Sequence, residues 1–120
     1  YKTAVMNFPQ SRALIYAYAE LLLQSDQADI AIELVTEQLI QHPSDTRLYD
    51  LQAQAYAKQG NLLEQHKAQG YSYAWQGKVY AAIEQLELAK KAGGNFYQIS
   101  AIESDLQELR EIIGTPQKER

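Results

Sequence analysis

Between Gly70 and Ala89 the chain sets Gly70, Tyr73, Gly77, Ala82, Leu86 and Ala89 at intervals of 3, 4, 5, 4 and 3 residues. Intervals of three and four keep side chains on one helix face. The interval of five crosses a glycine, a residue free to turn the chain. Two helices packed back to back produce this pattern. Tyr73 supplies bulk on the first, Gly77 opens the turn, and Ala82 is small where the second must come close. The remainder of the chain can be divided into helices from this pair outward.

Residues 1–8 read as the end of a helix, which Pro9 breaks; Ser11 is placed to cap the next. Residues 12–24 form that helix, with Leu14, Tyr18, Leu21 and Leu22 on one face. Residues 27–41 form another, burying Ile32, Val35 and Leu39. Pro43 follows Pro9 by 34 residues. The turn between these helices has Asp26 where a glycine would be expected, so it must avoid positive φ or accept an Asp there. Residues 45–59 follow Ser44 and close at Gly60. Asn61, with Glu64 three residues on, resembles a helix cap. Gly60 and Gly77 leave room for one helix, 62–76. Residues 78–92 run to Gly93-Gly94. In 95–113, Phe96, Ile99, Ile102, Leu106, Leu109 and Ile113 make a single apolar stripe. Gly114 to Arg120 is polar and is expected to fray.

The interval between Pro9 and Pro43, Ala31-Ile32-Glu33, and the pattern from Gly70 to Ala89 resemble the tetratricopeptide repeat (TPR), a 34-residue helix-turn-helix unit. Tyr49, Ala53 and Tyr56 fall on its large, small and large positions. The resemblance implies an all-α fold: a TPR-like antiparallel helix-pair solenoid wound as a right-handed superhelix, with about six helices plus an N-terminal stub. Residues 1–11 would be the tail of a truncated preceding repeat, and 12–45 the first unit. Residues 46–94 would be irregular second and third units. By order, helix 62–76 is the second helix of unit two. By Gly70 and Tyr73 it is the first of unit three, so it is expected to play both parts. Residues 95–113 would cap the solenoid, and 114–120 would be a flexible tail. The chain opens at Tyr1 in mid-helix and is read as part of a longer protein. Its truncated N-terminal edge is expected to drive self-association.

Composition narrows the chemistry. The 120 residues are 46% apolar and 22% charged, with a net charge of -4 and no cysteine. That balance suits a folded domain and argues against a nucleic-acid partner, which would need a basic patch. Without cysteine there are no disulfides or thiolate metal sites, and no apolar run is long enough for a transmembrane segment. The only histidines, His42 and His66, lack the spacing of a zinc-protease helix and read as surface or interhelical residues. Glu103, Asp105, Glu108 and Glu111 read as a solvated face. Of Tyr71 and Trp75, which share a face away from Tyr73, one is expected to be exposed; Tyr73 is expected in the core.

In the tetratricopeptide pattern four positions of each first helix face an inner groove. Carried onto this chain they are Ala13, Tyr16, Glu20 and Leu23, then Arg47, Asp50, Gln54 and Ala57. If 62–76 acts as a first helix, Glu64, Lys67, Tyr71 and Ala74 join them. Of these, Tyr16, Glu20, Arg47, Asp50, Gln54, Glu64, Lys67 and Tyr71 are the candidate partner-binding residues. Glu20 and Asp50 would repel the C-terminal carboxylates that chaperone-clamping repeats hold.

The segments Tyr49 to Ala55, Glu64 to Tyr71, Ala82 to Leu86 and Ala101 to Arg110 are similar to one family in particular. They resemble the C-terminal repeat region of periplasmic zinc metallopeptidases typified by the β-barrel assembly-enhancing protease (BepA). The likeness spans about residues 12–112. It implies a non-catalytic module in the periplasm that docks a protease onto the outer-membrane barrel assembly machinery and presents unfolded barrel proteins. The zinc and its ligands would lie in a parent protease domain, and this stretch would need no cofactor of its own. The competing reading is a general TPR adaptor in a cytoplasmic or secretion assembly.

Overall fold

The computed structural model describes residues 11–118, with side chains through Ile113. Six helices follow one another: α1 (Arg12–Gln24), α2 (Ala28–Gln41), α3 (Thr46–Lys58), α4 (Leu62–Trp75), α5 (Val79–Ala92) and α6 (Phe96–Lys118). No strand occurs among the described residues. Each helix packs against the next, and α1 also lies against α3. The result is the expected all-α array of antiparallel helix pairs, drawn out to 56 × 26 × 20 Å. The stub expected at residues 1–10 lies outside the described residues.

Side chains start four of the six helices. Ser11 Oγ accepts from the Leu14 amide, Asp45 Oδ1 from Arg47 and Leu48, and Asn61 Oδ1 from Glu64. Each satisfies an amide that has no partner within its helix. Before α6, Asn95 and Gln98 exchange bonds, each side chain accepting from the other's amide. That is a reciprocal capping box.

The helix ends repeat one another. Asp26, Gly60 and Gly77 have φ of 59°, 73° and 78°. After each, the next amide reaches back to the helix: Gln27 to Leu22 O (2.8 Å), Asn61 to Tyr56 O (3.0 Å) and Lys78 to Tyr73 O (2.9 Å). This left-handed closure with a six-to-one bond is the Schellman motif. Asp26 therefore accepts positive φ rather than avoiding it.

The core has two parts. Ile15, Leu22, Val35, Leu39, Leu48 and Leu51 anchor one between α1, α2 and α3. Leu63, Leu86, Ala89, Ile102 and Leu106 form the other between α4, α5 and α6. On α1 the buried face is Ile15, Ala19, Leu22 and Leu23, rotated from the expected stripe, because α1 touches both α2 and α3. Leu21 is accordingly exposed. The α3–α4 seam between the two cores is made of small or polar residues. Ala53, Ala68 and Ser72 are all buried, and Ser72 donates to Asp50 Oδ1 at 2.7 Å. With both flanks covered, by α3 and by α5, α4 shows no single apolar stripe.

At the far end two expectations change. Phe96 was placed on the buried stripe of α6 but is 77% exposed. The turn at Gly94 takes the place against Leu63, so Phe96 is left outside, stacked edge-on against Tyr97. The last helix also runs to Lys118, past its expected end at Ile113.

Candidate functional site

At about 3.6 residues per turn, Arg47, Asp50 and Gln54 lie on one side of α3, and Tyr49, Gln52 and Tyr56 on the opposite side. The eight candidate residues therefore fall into two groups, on either side of α3.

The first group joins α1 to α3. Tyr16 Oη donates to Asp45 Oδ2 at 2.5 Å, and Arg12 donates to the same oxygen at 3.2 Å. Glu20 and Arg47 form an ion pair. Gln54 is exposed. Asp50 turns toward the α4 seam, where Ser72 and Gln69 donate to it. Leu23, placed on the same inner surface by the repeat pattern, is closed into the core.

Electrostatics bind this group tightly at Asp45. Burial pushes its carboxyl up. The Tyr16 hydroxyl, the Arg12 guanidinium and the amides of Leu48 and Arg47 outweigh that and hold it below the usual carboxylate range. Burial first, then the bond to Asp45, raises the Tyr16 phenol.

The second group lines a groove of about 370 Å³ on the other side of α3. Helix α4 supplies Glu64, Lys67 and Tyr71; α3 supplies Tyr49, Gln52 and Tyr56; α2 supplies Thr36, Leu39 and Ile40. Lys67 Nζ sits 3.0 Å from Glu64 Oε1. The Tyr49 and Tyr71 rings meet edge to face, 5.8 Å between centroids. Tyr71 Oη donates to Asp105 Oδ2 at 2.5 Å, tying α4 to α6. Burial first, then this carboxylate, raises the Tyr71 phenol well above the ordinary value. Tyr56 is raised too, by burial and then by the charge of Glu64.

Three other expectations are settled here. Asp105 does not belong to a solvated face, because it is the acceptor for Tyr71. Tyr71 is half-buried while Trp75 is 56% exposed. Tyr73 is only partly covered, with the Lys78 ammonium 5.8 Å from its ring centroid. Sequence reasoning also missed most of the groove wall. Tyr49 and Tyr56 were read as packing residues, and Thr36 and Ile40 were passed over. The available signal was Ile40, an isoleucine off the buried stripe of α2.

Among the described residues, no three His, Asp or Glu side chains gather where they could hold a metal ion. His66 Nδ1 lies 2.9 Å from Gln85 Oε1, between α4 and α5. No helix among the described residues is long and apolar enough to cross a membrane. What the geometry offers is surface: an ion-paired strip along α1 and α3, and an aromatic groove behind it. Residues 1–55 match the family model of the tetratricopeptide repeat. No curated protein matches the chain.

Proposed function

We propose that this chain is a non-catalytic TPR module that binds proteins or peptides. The observation that carries the reading is the array itself. Stacked helix pairs leave two long side-chain-lined surfaces open on either side of α3, as helical solenoids do for their partners. The family match over residues 1–55 supports it.

The finer reading is a docking and substrate-presenting region of a periplasmic zinc metalloprotease in outer-membrane protein quality control. Its support is the order of the family-like segments from Tyr49 to Arg110. Zinc would belong to the parent's protease domain. The partners would be the barrel assembly machinery and unfolded barrel proteins.

The test is capture from periplasmic and cytosolic extracts with this chain as bait. Two surface variants run beside it, Arg47→Glu with Gln54→Lys, and Ile40→Ser. Recovery of barrel assembly components from the periplasm, lost in one variant, supports the full reading and assigns the face. Specific capture from cytosol alone replaces the protease-docking reading with a general adaptor. Failure to retain any protein from either extract overturns the module itself.

A further inference from the structure

We infer that the groove over α2, α3 and α4 is a recognition face in its own right, and that it takes a basic polypeptide segment carrying an aliphatic or aromatic anchor. This rests on the interaction-module reading and goes beyond it, by naming the face and the chemistry of the partner.

The turns explain why ligand-facing residues open on this side. Helices α1, α3 and α4 all end in the same left-handed closure, at Asp26, Gly60 and Gly77. By its closing turn α4 is a first helix, yet in the chain it directly follows another first helix. It thus stands where a second helix would, behind α3. Its inward positions, Glu64, Lys67 and Tyr71, are carried to the opposite side from Arg47 and Gln54.

The lining says what would bind. The Tyr49 and Tyr71 hydroxyls are already committed, to the Pro43 carbonyl and to Asp105. Their rings therefore offer apolar and π surface rather than free polar groups. Ile40, on the edge, is 78% exposed. An anchor that meets this lining is apolar.

The charge around it is one-sided. Lys67 is neutralised by Glu64 at 3.0 Å. Glu33 and Glu37 lie one helical turn before Thr36 and Ile40, as neighbours on the same edge of α2. Both are exposed, and neither has an ion-pair partner among the described residues. Asp105 stands beyond Tyr71. A cationic segment gains from these carboxylates and from the tyrosine faces. An acidic segment is repelled.

Labelled short peptides of alternating Lys and Leu, Ser and Leu, and Glu and Leu, titrated into the whole chain by fluorescence anisotropy, test this. The Lys/Leu peptide should bind at least about tenfold more tightly than the Ser/Leu one, with the gap closing as salt rises. Glu33→Lys with Glu37→Lys, and separately Ile40→Ser, should each weaken it about fivefold to tenfold. These side chains are exposed, so the fold is not at stake. Arg47→Glu with Gln54→Lys, across α3, should leave it within about twofold. Equal binding of all three peptides overturns the inference. So does loss in the Arg47 variant with none in the groove variants. If no peptide binds while partner capture from extract persists, the groove assignment falls and the module reading stands.

Discussion

Asp26 holds the backbone conformation that Gly60 holds 34 residues later. They close their helices with φ of 59° and 73°, and both are followed by an amide that reaches back to the helix. The left-handed region costs an L-residue about 1–2 kcal/mol, less for Asp than for most. Asp26→Gly should therefore raise stability by roughly 0.5–1 kcal/mol. Gly60→Ala and Gly77→Ala should each lower it by about 1 kcal/mol, although an added methyl would meet nothing within 4 Å at either place. Urea midpoints at constant m-value measure all three. A neutral Gly60→Ala would show that the turn relaxes out of the left-handed region.

The helices were legible because their punctuation is local. Ser11, Gly60, Asn61, Gly77 and Gly93 mark ends that the structure puts within a residue or so of expectation. The faces were less legible. A repeat pattern assigns inward positions as if every unit were complete. Here α4 follows a first helix directly, so one predicted surface becomes two. Asp105 was unreadable for a similar reason. Its spacing along α6 matches a solvated face, and only the packing of α6 against α4 brings it to Tyr71.

Asp45 should make the fold sensitive to acid. Its folded pKa is held below the ordinary value of about 4. A carboxyl with a lowered folded pKa stabilises above its unfolded value, and that contribution is lost as pH falls through the folded one. Asp45→Asn keeps a capping oxygen but loses the charge-assisted bonds from Tyr16 and Arg12. It should cost about 2 kcal/mol at neutral pH and much less near pH 3. Chemical unfolding at the two pH values decides this; an equal cost at both would remove Asp45 from the acid response.

Tyr71 acts in the opposite pH direction. Its folded phenol is raised by burial and by Asp105. Its contribution is complete below the ordinary tyrosine value of about 10 and is lost as pH climbs beyond that toward the folded value. Tyr71→Phe should cost about 1 kcal/mol near neutrality and flatten the alkaline fall in stability. The bond joins α4 to α6, so amide exchange in α6 should speed up more than in α2. Uniform acceleration across both helices would mean that Tyr71 supports the whole array rather than the α6 contact.

Gly70 sets two effects against each other. Replacing a glycine within a helix by alanine gains up to about 1 kcal/mol in propensity. Here the new methyl would lie 3.0 Å from Leu86 Cγ and 3.3 Å from the Ala82 carbonyl. Leu86 is 1% exposed and the carbonyl is backbone, so neither yields easily. Overpacking of this kind costs about 1–3 kcal/mol, and the net for Gly70→Ala should be a loss of about 1 kcal/mol. The cause can be isolated. In a Leu86→Ala background the clash is gone and the propensity gain remains, so Gly70→Ala should become neutral or stabilising. A double-mutant cycle reads that coupling directly. Equal losses in both backgrounds would show that the small residue at 70 is not there to admit Leu86.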